Sequence, residues 1–299
     1  MKPLLVVVSG PTPVGKTALS VHIAQTLNCP VISGDSRQFY RELCIGTAKP
    51  SMDELGKVKH FFIGHLSVND YYNISRFEQD VIRLFNENII DTPIALLTGG
   101  SGLYTDAVCK GVDDIPDPDP DLRSQMLRDY EEKGAEHFRS LLKKSDPETY
   151  AKIDLKNKNR LIRAIETILT TGKTLGEIRK GNFAERPFRV LKIALDIPRA
   201  ELYTRINDRV VLMIEKGLEP EARGLHTLSH LNALNTVGYK EFFEYFDGKI
   251  SLDEAIEKIK ASTRKYARRQ LTWLRRDKEY HWFHPNQPDE IVDLINRSL

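Results

Sequence analysis

The chain of 299 residues is long enough for one large domain or two modest ones, and its 40% hydrophobic and 29% charged residues exclude a disordered protein. Its apolar runs are far shorter than the about 18 residues of a membrane span. Its three widely spaced cysteines favour neither a disulfide framework nor a cysteine zinc site, so we expect a reduced, cytoplasmic protein with no membrane segment. The net charge is only +2, yet the segments 156–192 and 258–278 are strongly basic.

Short apolar runs predict the strands, and helical patterns separate them. The first run, 4–8, is continuously apolar and rich in β-branched residues, which is typical of a strand buried on both faces of a parallel sheet. Further strands are predicted at 31–32, 61–63, 94–97 and 190–197. Strands that alternate with helices indicate an α/β layered fold.

A linker rich in Asp and Pro, at 113–120, fits neither a helix nor a central strand. From there to about Pro187 the patterns are only helical. The sequence therefore predicts a discontinuous core, 1–113 and 188–299, that is interrupted by a helical insertion at 114–187. The last hundred residues are expected to be helical, at 199–216, 219–229, 239–246 and 252–276.

A glycine-rich motif follows the first predicted strand and opens a predicted helix at 16–27. It matches G-x-x-x-x-G-K-[ST] and consists of Gly10, Pro11, Thr12, Pro13, Val14, Gly15, Lys16 and Thr17. Backbone N–H groups of such a loop surround a phosphate, and the helix N-terminus adds partial positive charge. Lys16 is expected to reach the terminal phosphate, and the Thr17 hydroxyl is a candidate ligand of Mg²⁺. The motif predicts a P-loop NTPase-like core whose ligand is ATP or another diphosphate.

Two further polar positions follow predicted strands, where open α/β sheets bind their ligands. Asp35 follows the second strand, and we interpret it as a general base or a metal-shell carboxylate. The alternative is a capping box, with Asp35 as the N-cap and Gln38 three residues later. Ser101 lies in the glycine-rich segment 99–102 after another strand, where it either faces the same ligand or belongs to a plain turn.

The basic segment near the end of the chain predicts an amphipathic helix. Its buried seam is formed by Ile256, Ile259, Thr263, Ala267, Leu271 and Leu274. Off this seam lie Arg264, Lys265, Arg268, Arg269, Arg275 and Arg276. Arg160 and Arg163 share a face of a second basic helix. A solvated basic face is the ordinary explanation, but two such faces beside a phosphate site favour a nucleic acid, bound through salt-sensitive phosphate contacts.

Together the motifs resemble those of the tRNA dimethylallyltransferase family, along nearly the whole chain. Besides the phosphate loop, the matching segments are 35–40, 45–50, 99–104, 159–164, 205–209, 237–241 and 268–274. The resemblance implies transfer of a dimethylallyl group from dimethylallyl diphosphate to the N6 amine of adenosine 37, in the anticodon stem-loop of tRNA. It also implies Mg²⁺ as cofactor and a monomeric enzyme of bacterial type, with an insertion that contacts tRNA.

The resemblance implies roles for individual residues as well. Asp35 is expected to act as general base, Ser101 to hydrogen-bond the diphosphate, and Arg209 to pair with it. The expected tRNA contacts are Asp35, Ser36, Arg37, Gln38, Ser101, Arg123, Asn159, Arg160, Leu161, Ile162, Arg163, Arg264, Arg268 and Arg269. The chain departs from the family pattern at Ser101, where threonine is usual, and at Pro13-Val14, where Ala-Ser is common.

Three other functions fit part of the pattern. An adenylate isopentenyltransferase shares the core but has less reason to carry two basic helices. A small-molecule kinase needs an arginine-bearing lid over ATP and a carboxylate for Mg²⁺ or a hydroxyl proton. A non-catalytic RNA-binding P-loop protein needs no general base.

Overall fold

A computed structural model of the protein describes residues 2–113, 115–117, 119–179 and 185–299. The strands are β1 (Leu4–Ser9), β2 (Val31–Ser33), β3 (His60–Phe61), β4 (Ile94–Gly99), β5 (Arg189–Leu195) and β6 (Tyr280–Phe283). The helices are α1 (Lys16–Thr26), α2 (Met52–Lys57), α3 (Ile74–Asn86), α4 (Gly102–Lys110), α5 (Pro120–Ser145), α6 (Pro147–Lys152), α7 (Lys158–Thr171), α8 (Leu175–Ile178), α9 (Arg199–Glu215), α10 (Leu218–Gly224), α11 (Tyr239–Phe246), α12 (Leu252–Leu274) and α13 (Pro288–Arg297).

The strands form one parallel sheet in the order β3-β2-β4-β1-β5-β6. Strand β1 lies between β4 and β5, and all six of its residues are buried. Helices pack on both faces of the sheet, so the central strands expose no polar face and their sequences are continuously apolar. The predicted P-loop-like α/β sheet is confirmed.

The described chain divides into two compact units, 1–109 with 185–299 and 110–184. The predicted boundaries were 113/114 and 187/188. We call the second unit the insertion; it holds α5 to α8. Its apolar core includes Phe138, Leu142 and Ile165, which are at most 2% exposed. Inside α5, Gly134 adopts φ 78°, in the left-handed region that favours glycine, so the helical conformation is interrupted there.

Several boundaries differ from the predictions. The predicted strand 61–63 ends at Phe61, because Phe62 has φ 63° and cannot continue a strand. The predicted helix 219–229 ends at Gly224 and is followed by a short 3₁₀ helix at His226–Leu228. Strand β6 and helix α13 were not predicted. Asp114, Pro118 and 180–184, which belong to the predicted insertion, lie outside the described residues.

The helices that the structure describes are each too short or too polar to span a lipid bilayer.

Candidate active site

The glycine-rich motif forms the loop between the end of β1 and the start of α1. Gly15 adopts φ 109°, a conformation that side-chain-bearing residues rarely adopt, immediately before α1 begins at Lys16. Gly10 is tightly enclosed, since a Cβ there would lie 2.9 Å from the carbonyl oxygen of Leu195. Val14 is fully buried, and its amide donates to the Pro11 carbonyl at 2.9 Å. The loop therefore accommodates the Pro13-Val14 departure with its fold intact.

Two half-buried cations lie at this loop. Lys16 Nζ donates to the carbonyl oxygens of Gly10 at 2.8 Å and Pro11 at 3.2 Å. Arg209, from α9, donates through Nη1 to the Thr12 hydroxyl at 3.0 Å. Neither cation forms an ion pair with any carboxylate in the described part of the chain.

The two cations disfavour each other's charge. Burial, and next the nearby guanidinium of Arg209, lower the pKa of Lys16 to about 8, while Asp35 opposes the shift. Burial also lowers the pKa of Arg209, again against the effect of Asp35. Uncompensated positive charge in a buried position is unfavourable, and an anionic ligand relieves it. The geometry of the loop and Arg209 therefore favours an anionic ligand.

Asp35 lies beyond the end of β2, in a turn and not at the start of a helix. Its Oδ1 accepts from the amide of Arg37 at 3.0 Å, and its carbonyl accepts from the amide of Gln38 at 3.0 Å. The Gln38 side chain points away, donating to the carbonyls of Thr47 and Ala48 at 3.2 Å each. The capping-box alternative is therefore wrong, because no helix begins at Asp35 and Gln38 does not return to its amide.

Ser101 immediately precedes α4 and contacts other hydroxyl groups. Its Oγ accepts from the amide of Ser36 at 3.4 Å and lies 3.3 Å from the Ser36 hydroxyl. Tyr266, on α12, lies near Ser101, and burial raises the pKa of Tyr266 to about 12, so that the phenol is neutral near pH 7. The contacts with Ser36 hold the Ser101 hydroxyl without the methyl group of the more usual threonine. Gly100 and Tyr266 line the cavity described next, whereas Ser101 does not.

A cavity of about 650 Å³ brings the sequence-predicted polar residues together. The loop residues 12–17, Asp35 to Gln38 and Arg209 all line it. Five cationic and two anionic side chains contribute, namely Lys16, Arg37, Arg209, Lys240 and Arg269 against Asp35 and Glu54. One part of the wall is apolar and consists of Ile206, Val210, Met213, Leu218 and Ile259. The cavity thus offers a positive region and an apolar region, with the Asp35 carboxylate near Lys16 and Arg209.

Gln270 is a site residue that sequence reasoning did not single out. Its Oε1 accepts from the amide of Thr12 at 2.9 Å, and its Nε2 donates to the carbonyl of Gly100 at 2.8 Å. Gly100 is required there, because a Cβ would lie 2.3 Å from Gln270 Nε2. The sequence did offer a signal for Gln270. It is a polar residue three positions after the buried Ala267, and it lies inside the matched segment 268–274.

Two of the matched segments meet in a second set of contacts around the buried Tyr239. Its hydroxyl donates to Glu221 Oε1 at 2.6 Å, and the same carboxylate accepts from the amides of Ile45 and Gly46. A Cβ on Gly46 would lie 2.5 Å from the Tyr239 ring. The segments 45–50 and 237–241 therefore support one wall of the cavity jointly.

Comparison with known proteins places this geometry in a family. The model of the IPP transferase family matches residues 38–277. tRNA dimethylallyltransferase 1 of Bacteroides thetaiotaomicron is 48% identical over 293 residues, which cover 98% of this chain and 95% of that protein. The chain belongs to the IPP transferase family. The tRNA dimethylallyltransferase of Cytophaga hutchinsonii is 44% identical over 295 residues, 99% of this chain and 97% of that protein.

Solved structures of family members have the same fold. The full-length tRNA isopentenylpyrophosphate transferase of Bacillus halodurans superposes with a TM-score of 0.72 at 35% identity, covering 99% of this chain and 96% of that one. A eukaryotic dimethylallyltransferase, described as acting on tRNA, gives a TM-score of 0.76 at 27% identity, covering 91% of this chain and 70% of that one.

The arginines that family resemblance assigns to tRNA on α12 differ in their surroundings. Arg268 and Arg269 are exposed, and Arg269 lines the cavity. Arg264 is half-buried and donates through Nη1 to Asn207 Oδ1 at 2.7 Å. Arg37, near Asp35, donates through Nη1 to the carbonyls of Asn232 and Ala233 at 3.1 and 3.2 Å. Arg264 and Arg37 are therefore held in place by the protein.

Within the insertion, the predicted RNA-contact segment 159–163 is only partly accessible. Asn159 and Arg160 are exposed. Leu161 and Ile162, however, are 0% exposed and pack in the apolar core of the insertion. The tRNA contact predicted for these two residues stays a prediction, and their side chains would reach an external ligand only if that core opened. Their place in the motif reflects helix packing.

Arg123 and Arg163 converge on one buried carboxylate in the insertion. Glu166 is 0% exposed, and its Oε2 accepts from Arg163 Nη1 at 3.0 Å and from Arg123 Nη1 at 3.4 Å. Arg163 also donates to the carbonyl of Pro116. The other carboxylate oxygen, Oε1, has no hydrogen-bond partner in the described residues. Glu166, which sequence reasoning did not single out, thus fixes the direction of both arginines.

Proposed function

We propose that the protein transfers the dimethylallyl group of dimethylallyl diphosphate to the N6 amine of adenosine 37 in tRNA, and releases diphosphate. The observation that carries the proposal is one cavity in which Asp35 faces the cations Lys16 and Arg209 at a phosphate loop. The names of the relatives support the choice of donor and acceptor.

The loop, Lys16 and Arg209 bind the diphosphate of the donor. When the allylic C–O bond breaks, its electron pair leaves with the diphosphate, and negative charge accumulates on the leaving group. Donors that already point at this position stabilise the charge without reorganising. The unpaired state of Lys16 and Arg209 supports this role, because an ion pair within the protein would compete with the ligand.

The apolar wall receives the five-carbon dimethylallyl chain. Ile206, Val210 and Ile259 are at most 2% exposed and present only hydrocarbon to the cavity. An apolar wall also excludes water from an allylic centre with cationic character, and water would otherwise compete with the amine. The same cavity therefore holds both the polar and the apolar parts of the donor.

Asp35 accepts the proton that the N6 amine must lose as its new bond to carbon forms. One N–H bond and one C–O bond break, while an N–C bond forms and the carboxylate gains the proton. The amide of Arg37 holds one carboxylate oxygen, so the other is available to the amine. Ser101, which contacts Ser36, is proposed to position the diphosphate or the adenine beside it.

Mg²⁺ fits this arrangement as a ligand-dependent cofactor. The described residues contain no cluster of three or more His, Cys, Asp or Glu side chains suited to a metal. Mg²⁺ is commonly held by one or two protein groups together with substrate phosphates and water. Thr17 lines the cavity and is the proposed protein contact. When bound, the ion neutralises charge on the leaving diphosphate.

The tRNA partner is proposed to contact both units. The proposed contacts that remain accessible or line the cavity are Asp35, Ser36, Arg37, Gln38, Arg123, Asn159, Arg160, Arg163, Arg268 and Arg269, with Ser101 and Arg264 behind them. Adenosine 37 must leave its stack in the anticodon stem-loop to reach the cavity. We propose a monomer that acts in the cytoplasm, where its substrate tRNA is found.

Labelled dimethylallyl diphosphate, offered with Mg²⁺ and one acceptor at a time, tests the proposal. We expect label in a tRNA transcript with adenosine at position 37 and none in the matched transcript with guanosine there. Label in AMP but not in tRNA would instead show an adenylate isopentenyltransferase. Transfer of the terminal phosphate of ATP would show a kinase. Binding of tRNA without transfer would show a non-catalytic RNA-binding protein.

A further inference from the structure

A second groove lies in the same unit as the cavity, where α9 begins and α12 ends. Its volume is about 630 Å³, which is within the range of small-ligand sites. Its floor is apolar and consists of Ile197, Leu202 and Leu271. Its polar residues are Asp196, Arg199, Tyr203, Arg268, Thr272 and Arg275. None of the residues that bind the diphosphate in our proposal belongs to this groove.

Three guanidinium groups make the groove positive. Arg199, Arg268 and Arg275 are exposed, and the single carboxylate, Asp196, is half-buried. Arg275 Nη2 pairs with Asp196 Oδ2 at 3.1 Å, so two guanidinium groups remain uncompensated in the groove. Guanidinium groups bind phosphate with a geometry that a lysine does not reproduce.

One wall of the groove is formed by an arginine and a tyrosine in contact. The Arg199 guanidinium carbon lies 5.1 Å from the centre of the Tyr203 ring, and Arg199 Nε donates to the Tyr203 hydroxyl at 3.0 Å. This hydrogen bond and the cation–π contact hold the two side chains together. Unpaired RNA bases stack on tyrosine rings and on arginine guanidinium planes, while neighbouring arginines hold the backbone. A free phosphate or an acidic peptide would leave this wall and the apolar floor unused.

The groove and the cavity share both of their helices. On α12, Tyr266, Arg269 and Gln270 line the cavity, whereas Arg268, Leu271 and Thr272 line the groove. On α9, Leu202 lines the groove and Ile206, one turn and about 6 Å further on, lines the cavity. The two sites are therefore about one helical turn apart along α9, and their residues on α12 lie on opposite faces of that helix.

We infer that the groove binds a second unpaired nucleotide of the tRNA strand that carries adenosine 37, with its base on the Arg199–Tyr203 pair and its phosphate on Arg268 and Arg199. This inference rests on the proposed function. It adds a site in which no diphosphate binds and no chemistry occurs. Its signature is a change in tRNA affinity without a change in the use of dimethylallyl diphosphate.

Substitutions at Arg199 and Tyr203 test the groove through the equilibrium binding of unmodified tRNA over a range of salt concentrations. Base–aromatic stacking predicts that Tyr203→Leu weakens tRNA binding by about fivefold to 150-fold, whereas Tyr203→Phe retains the ring and the affinity. Arg199→Gln is expected to lower the slope of log K against log salt by about 0.7, while Arg199→Lys keeps the slope and loses affinity through lost stacking. Arg297→Gln, which removes an exposed arginine from α13, is the matched control and should bind as the unaltered protein does.

The KM for dimethylallyl diphosphate and the kcat at saturating tRNA, measured on the same variants, separate this inference from the proposed function. We expect both to stay within about twofold of the unaltered protein, because the groove lies outside the reacting cavity. Unchanged tRNA affinity and salt slope in Tyr203→Leu and Arg199→Gln, in a protein that modifies tRNA, would overturn the groove inference alone. Failure of the unaltered protein to bind tRNA would overturn both.

Discussion

Half-buried cations are used differently in the two units of this molecule. At the phosphate loop, Lys16 and Arg209 donate to carbonyl and hydroxyl oxygens, with no carboxylate partner in the described chain. In the insertion, Arg123 and Arg163 share the carboxylate of Glu166. Leaving a buried charge unpaired costs free energy that an anionic ligand recovers, whereas pairing it within the protein recovers that energy in the absence of a ligand. The first arrangement indicates ligand binding, and the second indicates that the arginines are held in a fixed direction.

Asp35 provides the largest expected effect, because its carboxylate interacts with both unpaired cations. Asp35→Asn keeps the shape of the side chain but removes the general base, so kcat should fall by about 10²–10⁴-fold. The KM for each substrate should change little. Single-turnover transfer to tRNA measures the step. A variant with nearly normal kcat would assign Asp35 to loop structure, with the proton lost to solvent.

Removal of either unpaired cation should give the next largest effect. Lys16→Ala and Arg209→Ala each remove a donor from the developing charge on the leaving group, so kcat/KM for dimethylallyl diphosphate should fall by about 10²–10³-fold. Thr17→Ala should instead raise the Mg²⁺ concentration needed for half-maximal activity. Arg163→Gln is the control from the insertion and should leave the KM for the donor unchanged. Equal losses of kcat/KM for dimethylallyl diphosphate in Arg163→Gln and Arg209→Ala would show that the cations of the two units do not differ in donor binding.

The lowered pKa of Lys16 predicts that binding of dimethylallyl diphosphate in the cavity depends on pH. Its pKa is lowered to about 8, so the free enzyme loses this positive charge as the pH rises through about 8. Because the charged form binds diphosphate, kcat/KM for the donor should fall about tenfold for each pH unit above this value. Lys16→Arg, which stays charged, should lose this alkaline limb. An alkaline limb that persists in Lys16→Arg would assign it to another group.

Glu166→Gln is expected to have the smallest effect on catalysis. It tests the comparison between the two units from the side of the insertion. The substitution leaves two arginines without their shared anion, and we expect the free energy of unfolding to fall by about 1–3 kcal/mol, because each guanidinium can still reach solvent. The KM for the donor and kcat at saturating tRNA should stay within about twofold. Denaturant unfolding measures the first quantity and steady-state kinetics the others.

Glu148→Gln is the matched control for this measurement. Glu148 pairs with Lys152 on the exposed side of α6, and the two side chains are 68% and 71% exposed. Exposed pairs contribute little, so its unfolding free energy should change by less than about 0.5 kcal/mol. A loss in Glu166→Gln no larger than in this control would show that the buried carboxylate does not hold the two arginines.

The features that sequence predicts well here depend on local patterns. The apolar run of β1, the glycine motif and the helical periods of α9, α11 and α12 need only neighbouring residues, and their bounds were predicted to within a few residues. Asp35 was located correctly at the carboxyl edge of the sheet because parallel strands place their ends together. Whether Asp35 caps a helix depends on whether a helix begins there. The short segment 35–40 does not reveal this, so the general-base and helix-cap interpretations both stayed open.

The features that were missed depend on contacts distant in sequence. Gln270 meets Thr12 and Gly100, which lie more than 150 residues earlier in the chain. Strand β6 has only four residues, two of them exposed, so its pairing with β5 carries little hydrophobic signal. We predicted RNA contacts for Leu161 and Ile162 because they belong to a sequence motif. Such a motif contains residues needed for helix packing as well as residues that contact a ligand. Burial separates the two, and burial is a property of the folded chain.

The bridge made by Gln270 has a consequence for how the protein is synthesised. The loops that it joins, at Thr12 and Gly100, emerge from the ribosome well before α12 does. Until codon 270 has been translated, a nascent chain has a phosphate loop whose amide at Thr12 lacks this partner. A truncated mRNA that ends before codon 270 therefore encodes the glycine-rich motif but not the complete active site.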